Sequence, residues 1–134
     1  SRKVIKGEWT LNTISYSEEG DFKATLLNDA SGLCFEGSDW KFVPNNNRGT
    51  YEINKADCPE GKRHYIFVIQ EVDPATGLYD FLLKPTNAKY KSETNAAFRF
   101  RLAALSSESM RWEQTVDVDG SPLVIAMNFS KTYQ

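Results

Sequence analysis

Short segments in which apolar and polar residues alternate run through most of this chain. In Ala96–Leu105, for example, Phe98 and Phe100 alternate with Arg99 and Arg101. A period of two is typical of a β-strand with one buried face. Clusters of Asn, Asp, Gly, Pro and Ser, which favour turns, separate these segments. The pattern predicts eight strands: Gly7–Tyr16, Asp39–Pro44, Gly49–Asn54, Arg63–Val72, Leu78–Pro85, Ala96–Leu105, Met110–Val118 and Leu123–Tyr133.

Short turns join all consecutive predicted strands except the first two. Strands joined by short turns are antiparallel neighbours. Eight is also a strand number at which an up-and-down sheet can close into a barrel, which side chains fill or which holds one small ligand. We therefore expect an all-β fold, an eight-stranded antiparallel up-and-down barrel that forms a single domain over residues 1–134. A β-sandwich is the competing architecture.

The long first connection, Ser17–Ser38, departs from the alternation. Leu26 and Leu27 follow Phe22 by four and five residues, a spacing that suits one face of a short helix. Gly32 is expected to end that helix. The predicted barrel thus carries a short helical segment between its first two strands.

Two cysteines, Cys34 and Cys58, flank the predicted hairpin that turns at Asn45–Arg48. Opposed residues of an antiparallel hairpin have a constant sum of residue numbers, here about 93 from the turn, and 34 + 58 = 92. Opposed positions meet the distance requirement of a disulfide, so we expect one bond between them and an oxidising compartment. The alternative is two buried free thiols.

Charge and motifs exclude several classes of function. Lys and Arg number 16 and Asp and Glu 18, a net charge of −2, whereas nucleic-acid-binding modules normally have a strongly basic face. The common catalytic and phosphate-binding motifs do not occur, and the single histidine, His64, is expected to point outward. We therefore expect a protein that is not an enzyme, with no metal, no cofactor and no nucleic-acid partner.

The functional signal lies in the predicted inward face, which is aromatic and aliphatic. That face comprises Trp9, Leu11, Phe42, Tyr51, Ile53, Tyr65, Phe67, Ile69, Tyr79, Phe81, Leu83, Phe98, Phe100, Leu102, Trp112, Gln114, Val116, Ile125, Met127 and Phe129. An apolar lining with a few polar tips is typical of a ligand pocket. We predict that a small hydrophobic or amphipathic ligand contacts Tyr51, Tyr65, Phe67, Phe81, Phe100, Trp112, Gln114 and Met127. Trp9 is expected to close one end of the barrel instead.

Two alternatives stay open. The same side chains can fill the barrel as a solid core without a cavity. The protein would then be an interaction or assembly module, and Ile66 and Val68 on the outer face would contact its partner. The segment Ser17–Ser38 could instead cover these two residues.

Two groups of residues resemble sequence motifs of the lipocalins. Gly7-Glu8-Trp9 is similar to the Gly-x-Trp signature that opens the first lipocalin strand. A longer pattern resembles bacterial lipocalin-like proteins, in which a Cys precedes a short aromatic–x–Phe strand, a Gly-Thr-aromatic return strand and a second Cys. In this chain it comprises Cys34, Asp39-Trp40-Lys41-Phe42, Gly49-Thr50-Tyr51 and Cys58. The long first connection is also similar to fatty-acid-binding proteins, but their barrels have ten strands.

The resemblance implies a secreted carrier of a small hydrophobic ligand, in the periplasm or at the cell surface. We expect a monomer, with a weak dimer as the alternative. Many such bacterial proteins are lipid-anchored through an N-terminal Cys. The first residue of this chain is Ser1, so the resemblance implies an anchoring Cys upstream of it.

Overall fold

In the computed structural model, which describes residues 2–20 and 24–133, eight strands close into one antiparallel barrel. The elements are α1 (Arg2–Ile5), β1 (Gly7–Tyr16), β2 (Thr25–Leu26), β3 (Ala30–Ser31), α2 (Gly32–Phe35), β4 (Ser38–Val43), a 3-10 turn (Pro44–Asn46), β5 (Arg48–Ile53), β6 (Gly61–Val72), β7 (Tyr79–Thr86), β8 (Phe98–Leu105), β9 (Ser109–Val118) and β10 (Ser121–Tyr133). The order around the barrel is β1-β10-β9-β8-β7-β6-β5-β4.

Closure of the barrel depends on β1, which pairs on both sides. Trp9 of β1 lies opposite Trp40 of β4, and Leu11 lies opposite Phe129 of β10. A closed sheet has no free edge, so the predicted barrel is confirmed and the sandwich is wrong. The predicted strand positions are confirmed to within a few residues.

Aromatic rings fill the middle of the barrel. Trp40 stacks on Tyr51 with ring centroids 4.6 Å apart, and Trp112 meets the rings of Phe81 and Phe129 at 4.8 Å. Sixteen predicted inward residues are buried, and the other four, Ile69, Phe98, Gln114 and Val116, are half-buried. The prediction omitted Trp40, although Trp40 shares the inward register of Phe42 and is 1% exposed.

One end of the barrel is closed by α1. The indole Nε1 of Trp9 donates a hydrogen bond to the carbonyl of Ile5 at 2.9 Å. The ammonium of Lys131 donates to the carbonyl of Val4 at 2.8 Å and lies 5.2 Å from the centre of the Trp9 ring. Carbonyls near the end of a short helix otherwise lack partners, so these bonds fasten α1 to the barrel. Trp9 therefore has the structural place expected of it.

The connection between β1 and β4 differs from the prediction in detail. A helical segment is present, but Gly32 begins α2 and does not end a helix. Leu26 lies in β2 and pairs with β3, while Leu27 and Asn28 have positive φ angles of 56° and 52°. Asn tolerates this left-handed region, so a tight hairpin forms where a helix was expected. Phe22, the third residue of the predicted helical face, lies outside the described residues.

A disulfide joins Cys34 and Cys58, as predicted, with Cα atoms 5.7 Å apart. The geometric reason given for it was wrong. Cys34 lies in α2 and Cys58 in the β5–β6 connection, whereas the β4–β5 ladder starts at Asp39 opposite Glu52. The bond therefore fastens α2 to a neighbouring loop and does not cross a hairpin. Within residues 2–20 and 24–133, no helix is long and apolar enough to cross a membrane.

Candidate ligand-binding site

The barrel interior, where the ligand was expected, is almost full. Seven predicted ligand residues are buried there: Tyr51, Tyr65, Phe67, Phe81, Phe100, Trp112 and Met127. Four of them, Tyr65, Phe67, Phe81 and Trp112, border a gap that leaves about 10 Å³ for the centre of a water molecule. Such a volume corresponds to roughly one water. A ligand larger than water fits between these rings only if they move.

Polar atoms of the interior are mostly satisfied by the protein itself. The Tyr65 hydroxyl donates to the carbonyl of Lys41 at 3.3 Å, and the Trp40 indole donates to Ser38 Oγ at 2.9 Å. Burial raises the pKa of Tyr65 well above its ordinary value, so this phenol stays neutral. The indole Nε1 of Trp112 donates to no acceptor among the described protein atoms.

A ligand-sized space lies at the other end of the barrel, which we call the mouth. It adjoins the β9–β10 turn, where Ser121 pairs with Val118, and lies opposite the end that α1 closes. The cleft there holds about 330 Å³. Its lining residues are Ala24, Thr25, Leu27, Phe98, Gln114, Val116, Val118, Leu123 and Ile125. Small-molecule pockets typically measure about 300–1,000 Å³, so this mouth cleft is large enough for a small ligand.

Alternation along β9 and β10 explains how the mouth cleft relates to the filled interior. Gln114 pairs with Ile125 at the level of the cleft, and Trp112 pairs with Met127 two residues further in. Successive inward residues of one strand are two positions apart, so the buried rings lie in the next layer beneath the cleft. Of the eight predicted ligand residues, Gln114 is among the described residues that line the mouth cleft, and the other seven are not.

None of the other eight described residues that line the mouth cleft was predicted as a ligand contact. Phe98, Val116 and Ile125 were placed inward but not assigned to a site. Ala24, Thr25 and Leu27 come from the connection after β1, whose path the alternation did not reveal. Leu123 and Val118 could have been found, because both flank the turn at Asp119-Gly120 that marks this end.

The connection that forms one wall of the mouth cleft is fastened by a carboxylate. Asp29 accepts hydrogen bonds from Arg63 at 2.8 and 3.1 Å and from the Tyr51 hydroxyl at 2.6 Å. The pKa of Tyr51 is raised first by burial and then by this bond to a carboxylate. We call these three residues the Asp29 cluster. Together with the disulfide, it holds the segment from Ala24 to Phe35 against the barrel.

No group of three or more His, Cys, Asp or Glu side chains able to hold a metal occurs in the part of the chain that the structure describes. His64 is half-buried, and its ring meets Tyr90 edge-on with centroids 5.3 Å apart. It pairs with Thr50 and Thr86 and precedes the buried Tyr65, so it lies on the outer face.

Comparisons with known proteins bear on the fold. No family profile matches the chain. No curated protein sequence matches it either. Among solved structures, it resembles a lipocalin-like protein from Bacteroides uniformis, with a TM-score of 0.58 and 11% identity over 96% of this chain and 99% of that one. It also matches bovine odorant binding protein, solved with a selenium-containing odorant, with a TM-score of 0.49 and 12% identity over 100% of this chain and 74% of that one.

At 11% identity, the first of these matches is evidence about the fold and not about the ligand. The match spans nearly all of both chains, and the barrel has the strand number, antiparallel pairing and short helical segment that the sequence predicted. The chain therefore has a lipocalin-like fold.

Proposed function

We propose that this protein binds a small apolar or amphipathic molecule in the mouth cleft, without catalysing a reaction on it. The observation that carries the proposal is the cleft itself, which holds about 330 Å³ and has seven apolar side chains among the nine described ones that line it. The interior of the barrel, by contrast, has room for roughly one water.

Burial of apolar surface would drive binding. Phe98, Val116 and Val118 line the mouth cleft and remain partly exposed to solvent. A ligand that covers them removes apolar surface from water, at about 25 cal/mol per Å² before the losses of association. We assign direct ligand contact to Gln114. The seven buried predicted residues then support the cleft from beneath.

The disulfide supports an extracytoplasmic location for this carrier. Disulfides persist in oxidising compartments and are rare in the cytosol. Cys34 and Cys58 fasten the segment that forms one wall of the mouth cleft, so an oxidising compartment would also preserve the site. Lipid anchoring remains a prediction from the resemblance, and a monomer, with a weak dimer as the alternative, remains an expectation.

A fluorescent apolar probe, N-phenyl-1-naphthylamine, tests the proposal. Its emission should rise saturably with wild-type protein. Val116→Trp fills the mouth cleft and should weaken probe binding at least tenfold. Val72→Trp places the same ring at an exposed position of β6, 57% accessible, and should bind like wild type. No emission change up to the solubility limit, or equal binding by Val116→Trp and wild type, would overturn the proposal.

A second candidate is the interaction module with a solid core. The filled interior favours it, as does the outer face of β6, where Val68 is 37% exposed and Ile66 is half-buried. The segment after β1 thus leaves Val68 uncovered. A concentration-dependent sedimentation coefficient that Val68→Lys abolishes, without any probe binding, would replace the carrier proposal with this one.

A further inference from the structure

Seven of the nine described side chains that line the mouth cleft are apolar. Among the described residues, no charged side chain lines it. Its polar side chains are the Gln114 amide and the Thr25 hydroxyl. The Gln114 amide makes no side-chain hydrogen bond to any described residue. Its two N–H donors and its carbonyl acceptor are therefore available to a ligand.

Neighbouring charges on this side of the mouth are acidic. Asp117 and Asp119 flank Val118 in sequence, at the end of β9 and in the turn that follows. Two described cations are each engaged by a carboxylate at 2.8 Å: Arg63 by Asp29, and Arg99, which follows Phe98 in β8, by Asp80. A ligand carboxylate in the mouth cleft would thus lose hydration without gaining a cationic partner among the described residues, which is strongly unfavourable.

Resting on the proposed function, we infer that the ligand is an uncharged apolar molecule with one hydrogen-bonding group, such as an alcohol, ketone or amide, and not a fatty-acid anion. The Gln114 amide recognises the hydrogen-bonding group. The apolar part of the ligand covers Phe98, Val116 and Ile125, which line the same cleft.

Matched ligands test this inference. Decanol and decanoate have the same chain length and differ in the charge of the head group. Displacement of N-phenyl-1-naphthylamine at pH 8, where decanoate is ionised, should give at least tenfold tighter binding of decanol. Equal or tighter binding of decanoate would overturn the inference while the bound probe still supports the carrier. A probe that does not bind at all would instead overturn the proposed function.

Variants at Gln114 test how the head group is recognised. Gln114→Leu should weaken decanol binding about fivefold, as expected for one neutral hydrogen bond. Gln114→Lys supplies a cation and should reverse the preference toward decanoate. Gln70→Leu makes the same change at an exposed position of β6 and should change the affinity for neither decanol nor decanoate.

Unchanged decanol affinity in a folded Gln114→Leu protein would overturn the inference. Thermal unfolding is the check that the variant is folded.

A further variant concerns Lys23, which lies outside the described residues. A wild-type preference for decanoate that Lys23→Gln removes would show that a cation serves the site. We expect Lys23→Gln to leave the ratio of decanol to decanoate affinity unchanged.

Discussion

At the scale of single residues, Tyr51 links the interior to the segment that walls the mouth cleft. Its ring stacks on Trp40 inside the barrel, and its hydroxyl donates to the Asp29 carboxylate. The hydroxyl cannot ionise in place without leaving two negative groups 2.6 Å apart. The neutral phenol is therefore part of the folded structure.

The raised pKa of Tyr51 predicts a loss of stability at alkaline pH. The unfolded phenol ionises near its ordinary pKa of 10.0, and the folded one only at higher pH. The stabilisation is complete below pH 10 and declines as the pH rises above it. Urea unfolding of Tyr51→Phe should therefore change less between pH 9 and pH 11 than that of wild type. Parallel pH profiles for the two proteins would contradict this.

Gly49 of β5 lies very close to the Tyr65 side chain and to the backbone of β4. A Cβ atom at this position would meet both the Tyr65 hydroxyl and the backbone carbonyl of Lys41. A backbone carbonyl cannot move aside cheaply, so we expect Gly49→Ala to lower the free energy of unfolding by about 1–3 kcal/mol. Chemical denaturation measures this loss.

A double variant that combines Gly49→Ala with Tyr65→Phe tests whether the new Cβ clashes with the Tyr65 side chain. Tyr65→Phe removes the hydroxyl, one of the three atoms that the new Cβ would meet, whereas the ring carbon Cζ and the Lys41 carbonyl remain. The double variant should therefore lose less stability than the sum of the two single variants. Strictly additive losses, or a Gly49→Ala variant as stable as wild type, would show that the close approach is not strained.

At the scale of elements, the disulfide and the Asp29 cluster fasten the segment between β1 and β4. The disulfide closes a loop with a sequence separation of 24 residues. The chain-entropy argument assigns about 3 kcal/mol to a loop of that size. The double variant Cys34→Ala/Cys58→Ala should lose stability of that order in urea unfolding, and reductant should then have no further effect on it. A loss below about 0.5 kcal/mol would contradict the fastening role.

Alternation predicted the strands well because each strand has one face inside the barrel and one outside. Apolar residues therefore recur at every second position along a strand, as in Phe98-Arg99-Phe100-Arg101. This alternation does not indicate how far along the barrel axis a residue lies. The predicted ligand residues were therefore inward-facing, yet most lie in the filled middle, and Gln114 lies at the mouth cleft.

The segment after β1 was harder to predict because contacts distant in sequence determine its path. Leu26 and Leu27 are buried against the barrel, and Asp29 is held by Arg63, 34 residues away. Local spacing suggested a helix, whereas these contacts stabilise a hairpin followed by a single helical turn. The cysteine pairing was correct although its hairpin rationale was wrong, since α2 carries Cys34 close to Cys58.

At the scale of the whole molecule, the protein is a filled barrel with one end closed by α1 and an apolar cleft at the other. Packed rings such as those of Trp40 and Trp112, 5.4 Å apart, make the interior a rigid support. Binding in the mouth cleft would then leave the barrel almost unchanged. We therefore expect a small molecule to bind at the mouth and not among the interior rings.

Methyl chemical shifts during a titration with decanol distinguish these two locations. Binding at the mouth should give saturable shifts for the methyl groups of Val116, Leu123 and Ile125, which line the mouth cleft. Methyl groups of Leu102 and Met127, each 1% exposed among the interior rings, should shift much less. Unchanged spectra, or shifts largest at Leu102 and Met127, would show that decanol does not bind at the mouth.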